Sequence, residues 1–331
     1  MAANIAAVRL VLDDGTDLAD KVNPRLLSLR LTEKRGGEAD ELSITLQNHD
    51  EKLAVPETGR VLSLSLGWAS GRDVQVGLVD KGRFKVDEVT EGGPPTVITI
   101  TARSADMAGD YRQRRTQTWK NTTLGAVLTA IAGRNGVSAQ VHPDLAGKPI
   151  SAIEQHGKSD MAFVKDLGSR FDAVATWKNR ALIFMPVGAE TTASGKAIPA
   201  VTVTRRDGWT WEFSRADRDE QDGAEAQWHD KATGRRRTVK TGGKNRRKLK
   251  RVYASEEEAK QATAGAASKG KRGGYKFSYA LAFADCALTP NGKVTLQGWR
   301  EGITTRKWLV ESVETSMEGG ALKQQLQLET A

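Results

Sequence analysis

The chain has 331 residues, 38% of them hydrophobic, and carries 50 Lys and Arg against 41 Asp and Glu, a formal net charge of +9. That length accommodates two or three domains and that apolar share can fill real cores, while no apolar run approaches the ~20 residues of a membrane-spanning helix. One cysteine, Cys286, excludes an internal disulfide, and the four histidines (His49, His142, His156, His229) have neither the spacing nor the cysteine partners of a metal site.

In chain order, the opening run to Val11-Leu12 lacks a basic leader and meets Asp13-Asp14-Gly15, a hairpin signal. It therefore reads as a first strand and not as a signal peptide. Leu27, Leu29 and Leu31 then alternate with Ser28, Arg30 and Thr32. Leu42, Ile44 and Leu46 alternate after a polar loop, and Leu62, Leu64, Leu66 and Trp68 follow with Ser63, Ser65 and Gly67 between them. Half-buried strands with frequent turns predict an antiparallel sandwich or small barrel, over residues 1–115.

The period changes after Trp119-Lys120. Asn121-Thr122 is placed to cap a helix in which Leu124, Val127, Leu128 and Ile131 fall on one face, stopping at Gly133 to Gly136. Ser159-Asp160 opens a second helix with Met161, Val164, Leu167 and Phe171 on its apolar side. A hairpin, Val174 to Trp177 and Ala181 to Met185 with a turn at Lys178-Asn179, closes an α+β module over residues 116–190. Strands resume with Val201 and Val203, then Trp209, Trp211 and Phe213, then Ala224, Ala226 and Trp228, in a second β domain spanning 191–331.

That domain is interrupted at about 231–274 by a basic loop and a helix starting at Ser255-Glu256-Glu257-Glu258. From Lys231 to Arg251 there are eleven basic residues and no acid: Lys231, Arg235, Arg236, Arg237, Lys240, Lys244, Arg246, Arg247, Lys248, Lys250 and Arg251. All of the positive excess is therefore local, since the remaining 39 bases face 41 acids. A solvated loop, a phosphate-binding surface and a site for an acidic partner all fit this composition. No aromatic ring lies between Lys231 and Arg251 for stacking on bases, which weakens the single-strand reading.

The closing segment repeats the first domain. Pro56, Gly59-Arg-Val61, Gly67-Trp68, Arg83-Phe84-Lys-Val86-Asp87-Glu-Val89, Gly92-Gly93 and Ile98-Thr-Ile100 return as Pro290, Gly292-Lys-Val294, Gly298-Trp299, Lys307-Trp308-Leu-Val310-Glu311-Ser-Val313, Gly319-Gly320 and Leu326-Gln-Leu328. Leu42, Ile44 and Leu46 before the first copy match Tyr279, Leu281 and Phe283 before the second. Each copy is a set of strands with one apolar face, in which Phe84 with Val86, and Trp308 with Val310, share a side of the sheet. Trp68, Phe84, Val86, Trp299, Trp308 and Val310 are the expected core markers of two equivalent tube-like β-barrels.

The order Trp119, Thr123-Leu124, Ile131-Ala132, Gln155, Ser159-Asp160, Phe163, Leu167, Arg170-Phe171 and Leu182-Ile183-Phe184-Met185-Pro186 resembles the late control D family of phage tail proteins. Tyr253 to Ala259 and Trp308 to Val313 add to the resemblance, which covers most of the chain. It departs at Glu314, where the family's closing motif has His. The resemblance implies a baseplate hub of a contractile tail, similar to myophage hubs and to the N-terminal part of type VI secretion spike proteins. It implies a homotrimer whose six barrels meet a hexameric tail tube protein. Its other partners would be a spike protein, a tape measure protein and other baseplate proteins, in a phage or tailocin tail assembled in the host cytoplasm. Neither cofactor nor membrane anchor is expected. An enzymatic reading needs a pair of carboxylates flanking one bond, or a nucleophile, zinc-protease or phosphate-loop motif, and no segment supplies one.

Overall fold

The computed structural model describes residues 3–54, 56–104, 111, 113–178, 180–215, 222–272 and 274–331. The first half contains β1 (Ile5–Leu12), α1 (Ala19–Val22), β2 (Leu26–Lys34), β3 (Glu41–Gln47), β4 (Val61–Ser70), β5 (Gly77–Gly92), β6 (Val97–Ser104), β7 (Arg114–Thr123), α2 (Leu124–Arg134), β8 (Ser138–Val141), α3 (Pro143–Ala146), β9 (Pro149–Ser159), α4 (Asp160–Phe171), β10 (Ala173–Lys178) and β11 (Ala181–Pro186). The second contains β12 (Val201–Thr204), β13 (Gly208–Arg215), β14 (Gly223–Asp230), β15 (Arg235–Gly242), β16 (Arg246–Tyr253), α5 (Glu256–Arg272), β17 (Tyr275–Leu281), β18 (Lys293–Gln297), α6 (Glu301–Thr304), β19 (Trp308–Glu318) and β20 (Ala321–Thr330).

Twelve strands form one curled sheet made of two units with the same strand order: β1-β4-β5-β6-β3-β2 and β12-β18-β19-β20-β17-β13. The pairing matches residue by residue. Phe84 lies opposite Ser104 and Val86 opposite Ala102, with a bulge before Glu88. Trp308 lies opposite Thr330 and Val310 opposite Leu328, with a bulge before Ser312. A bulge adds an unpaired residue and bends its strand. Here Asp87 and Glu311 sit at the bend, so the first half of each long strand pairs with β4 or β18 and the second half turns away. The units differ at their outer strands, because β1 joins β4 antiparallel whereas β12 joins β18 parallel.

Several of the expected matches are displaced, among them that of Ile98 and Ile100 to Leu326 and Leu328, because the ladders set Ile100 at the place of Leu326 and Ala102 at that of Leu328. Leu42, Ile44 and Leu46 correspond through the ladders to Phe277, Tyr279 and Leu281, two residues earlier than the expected Tyr279, Leu281 and Phe283; Phe283 lies past the end of β17 and is exposed. The Gly-Trp pairs are one residue out of register. Leu62 faces Phe84 and Val294 faces Trp308, so counting along the strands sets Trp299 at the place of Gly67. The reason is that β4 continues through Trp68, whereas β18 ends at Gln297 and the chain turns at Gly298 (φ 86°) into α6. The turn expected at Gly59 and Gly292 is made by Gly59 (φ 89°) and Asn291 (φ 70°), whose N–H groups donate to the carbonyls of Val86 and Val310. Asn tolerates the left-handed region, so Gly292 is not needed for it.

Each unit encloses an apolar core. Trp68, Phe84 and Val86 lie in the first, with Leu29, Leu31, Leu42, Ile44, Leu64 and Leu66. Trp299, Trp308 and Val310 lie in the second, with Phe277, Tyr279, Val313, Leu326 and Leu328. Between them, a β10-β11-β8 sheet, the β7-β9 pair and helices α2 and α4 form a third core around Leu128, Phe163 and Phe184. Thr123, not Asn121-Thr122, caps α2 by accepting the Ala126 N–H, because β7 runs on through Thr123 and the helix starts at Leu124. Ser159 caps α4 by accepting the Ala162 N–H. Asn179, expected in the β10–β11 turn, lies outside the described residues.

Candidate functional site

The basic segment is not a loop. It folds as β15 and β16, which flank β14 in a three-stranded sheet with α5 against one side. Ala226, Tyr253, Ala259 and Ala262 form its small core, joined by Trp228, Val239 and Leu249. Alternation therefore turns Arg236, Lys240, Lys248 and Lys250 to the other face. Thr238, Val239 and Thr241, followed by Gly242-Gly243, are the strand and turn signals that the charge obscured. The acids missing from the segment itself stand on β14 and just before it. Glu225 lies opposite both Lys240 and Lys248, and Asp230 binds Arg237 at 2.8 Å opposite Arg235. Asp222 Oδ2 accepts the Lys244 N–H, Arg246 donates to the Gly242 carbonyl, and Arg251 lies over the Tyr253 ring. Arg247 and Arg251 line a cleft with Glu154, Asp166 and Arg170. The segment is thus a built, partly neutralised surface.

The joined sheet has a different chemistry on the face away from its cores. There, Ser43, Thr99 and Thr101 on the first unit are matched by Ser278, Gln325 and Gln327 on the second, with Thr45 and Ser316 on the same face. Three charge pairs cross strands on this face: Arg30 with Glu314 at 3.5 Å, Arg103 with Glu41 at 3.4 Å, and Lys276 with Glu311 at 3.7 Å. Exposed pairs of this kind contribute little stability, roughly 0–1 kcal/mol each, but each offsets its own charge locally. The basic excess is elsewhere, on β15 and β16.

Several strand edges are open among the described residues, with β1 paired only to β4 and β12 only to β18. β13 is hydrogen-bonded only to β17, and the part of β5 beyond its bulge only to β6. Trp209 and Trp211 on β13 are 60% and 37% exposed.

The most connected buried acid is Asp160, whose carboxylate receives hydrogen bonds from Arg134, Gln155 and Asn135. Desolvation pushes its pKa up, but these donors outweigh that and hold it below the ordinary carboxylate value. They tie α2, β9 and α4 together, which is structural work. Burial pushes the Cys286 thiol up to about 11, the opposite of an activated nucleophile. Among the described residues no group of three or more His, Cys, Asp or Glu is placed to hold a metal ion, and no helix is long and apolar enough to cross a membrane.

Residues 41–321 match the family model of the phage tail baseplate hub (GPD). The chain is 33% identical to the probable baseplate hub protein of Escherichia phage P2, over 97% of this chain and 92% of that one. It is 32% identical to the probable baseplate hub protein of Escherichia phage 186, over 98% and 93%. Among solved structures, the 43 kDa tail protein of prophage MuSo2 from Shewanella oneidensis superposes with a TM-score of 0.66 at 13% identity, covering 97% of each chain. The E. coli c3393 protein, a component of the type VI secretion system, superposes with a TM-score of 0.57 at 12% identity, covering 93% of this chain and 74% of that one. A matched family model over most of the length, with two relatives aligned nearly end to end, leaves one assignment: the chain belongs to the phage tail baseplate hub (GPD) family.

Proposed function

We propose that the protein is a homotrimeric hub that adapts a hexameric tail tube to a trimeric spike, acting by protein contact and without catalysis. The observation that carries this is the doubled unit: two six-stranded arrays in one chain, equivalent down to the bulge. Three chains supply six such units toward a sixfold tube while keeping threefold symmetry for a spike. The c3393 protein, whose fold this chain shares, itself exhibits structural similarity to the T4 tail proteins gp27 and gp5, which supports a place in the tail. In this reading the units at 1–115 and 191–331 carry the ring, the module at 116–190 braces them, and the tape measure protein and other baseplate proteins are further partners. The test is the mass of the purified chain in solution by light scattering, followed by a reconstruction of tail tips. Three chains per ring at the tube end are expected. A stable dimer, or a monomer that never enters the tip, sinks the proposal.

The basic sheet serves a protein partner in this scheme. The paired, Ser/Thr/Gln-rich wall suits a passage that must not retain a polyanion, whereas eleven bases on such a wall would hold one back. Replacing Arg235, Arg236, Arg237, Arg246 and Arg247 with Gln removes five largely exposed charges, each worth roughly 0.2–1 kcal/mol against an acidic surface. The expected outcome is a normal fold by circular dichroism and a marked loss of assembled tails, with little change in DNA retardation at 0.15 M salt, a salt level at which weak phosphate contacts are screened. Normal assembly with loss of a strong, salt-sensitive DNA affinity is the contrary result.

A further inference from the structure

We infer that the cleft between the basic sheet and the α+β module takes a short, extended, acidic segment of a partner protein, with carboxylates on Arg247, Arg251 and Lys269 and an apolar side chain between them. This rests on the reading that the basic sheet serves a protein partner, and it places the contact in the seam with α4 and β9, not on the sheet's outer face. The cleft has a volume of about 390 Å³, within the roughly 300–1,000 Å³ of ligand sites. One wall is β16, from which Arg247, Leu249, Arg251 and Tyr253 all line it. Side chains on one side of an extended strand recur at every second residue, roughly 6.5–7 Å apart. A ligand in the same extended form therefore meets a cation, an apolar side chain and a cation in turn. On α5, Ala266 is small enough to leave the space open, and Lys269 stands one turn further on. On α4, Phe163 and Leu167 make the floor apolar.

The charge of the cleft is lopsided. Five cations line it, Lys158, Arg170, Arg247, Arg251 and Lys269, against two acids, Glu154 and Asp166. Asp166 is bound to Lys158, and Arg170 is bound to Glu258. Subtracting these pairs leaves Arg247, Arg251 and Lys269 against Glu154 alone. Arg170 adds to the positive field, since its Nε and Nη1 have no acceptor among the described residues. The apolar floor then decides which anion fits. A nucleic acid strand stacks its bases on open aromatic faces, but Phe163 and Tyr253 are 2% and 7% exposed, and the guanidinium groups of Arg170 and Arg251 already lie over the Tyr253 ring. Leu249, Phe163 and Leu167 suit an aliphatic side chain flanked by carboxylates, the pattern by which clustered arginines read acidic motifs.

The probe is a fluorescent peptide that alternates aspartate with leucine, titrated with the full chain at roughly 0.15 M salt and read by anisotropy. Arg251→Gln with Lys269→Gln is expected to weaken its binding about tenfold, the loss of two charge contacts beside an apolar floor. Arg236→Gln with Lys240→Gln removes the same charge from the opposite face of the sheet and should change binding less than about twofold. Ala266→Glu sets a carboxylate inside the cleft, in a helix that accepts glutamate well. That variant should unfold no more easily than the parent and bind the peptide about tenfold less, because it fills the site from within. Equal losses in the two double variants would overturn the inference by showing a diffuse field, and so would a peptide that does not bind the parent chain. A single-stranded oligonucleotide that binds more tightly than the peptide, and is lost in the cleft variants alone, would assign the cleft to phosphate instead. Tail assembly separates this inference from the wider reading. If the cleft variants assemble like the parent while the variant with five Arg→Gln changes does not, the cleft is wrong and the protein-partner reading stands. If all of them assemble normally, both fall.

Discussion

Trp308→Ala is expected to remove about 3–5 kcal/mol of folding stability, the range for truncating a large buried aromatic side chain. Trp308 is 0% exposed in the core of the second unit, with the Phe277 ring centroid at 5.6 Å and that of Phe213 at 6.3 Å. Its indole N–H also donates to the Ile303 carbonyl at 2.9 Å, the bond that pins α6 against the barrel. Losing the indole leaves that carbonyl only the longer bond from the Arg306 N–H at 3.4 Å, which adds roughly 0.5–1.5 kcal/mol. The first unit does the same packing with Phe84, because β4 runs on where the second unit has the Gly298 turn and α6. Trp308→Phe should therefore keep most of the core and lose chiefly the α6 anchor, costing about 1–2 kcal/mol. Urea denaturation read from the shift in midpoint at constant slope measures both. Equal costs for the two variants would show that the ring, and not its N–H, is dispensable.

That Trp308 and Phe84 could be paired from sequence follows from what strand patterns encode. Aromatic-x-Val spacing and alternation are local consequences of the pleat, so both long strands were legible with their core faces. Where a strand ends is less local. Gly67-Trp68 and Gly298-Trp299 look alike, yet one lies inside a strand and the other follows a turn, a difference fixed by pairing partners and not by the dipeptide. Charge misled in the segment from Lys231 to Arg251, since solvated side chains on an exposed strand are as basic as those on a loop. Its β-branched Thr238, Val239 and Thr241 were the better guide. The Asp160 cluster was half visible: Gln155 and Ser159-Asp160 stood out in the family pattern, but Arg134, the cation that satisfies the carboxylate, comes from a different helix. Open edges are invisible in sequence altogether, because an edge is defined by the strand that is not there.

The same nonlocal chemistry sets the second large effect. Arg170 on α4 and Glu258 on α5 form an ion pair at 3.0 Å with side chains only 6% and 1% exposed. Burial pushes the Arg170 pKa down, with Glu258 opposing, so the pair survives as charges because each partner is present. Arg170 also lies over the rings of Phe171 and Tyr253. Glu258 Oε1 accepts the backbone N–H groups of Ser151 and Ala152 on β9. One carboxylate thus fastens the basic sheet and its helix to the α+β module. Glu258→Gln keeps an oxygen for the two N–H groups and removes only the charge, leaving Arg170 buried and unpaired, and it is expected to cost about 3–5 kcal/mol. Replacing both partners, Arg170→Met with Glu258→Leu, removes the stranded charge and should recover most of that loss, since apolar replacements of a buried pair are often near neutral. Ser151 and Ala152 are half exposed, so water can take over their N–H groups in the double variant. Limited proteolysis locates the effect. Cleavage should rise first around α5 in Glu258→Gln and return toward the parent rate in the double variant. A double variant as unstable as the single one would mean that the two N–H bonds, not the charge pair, hold the basic sheet in place.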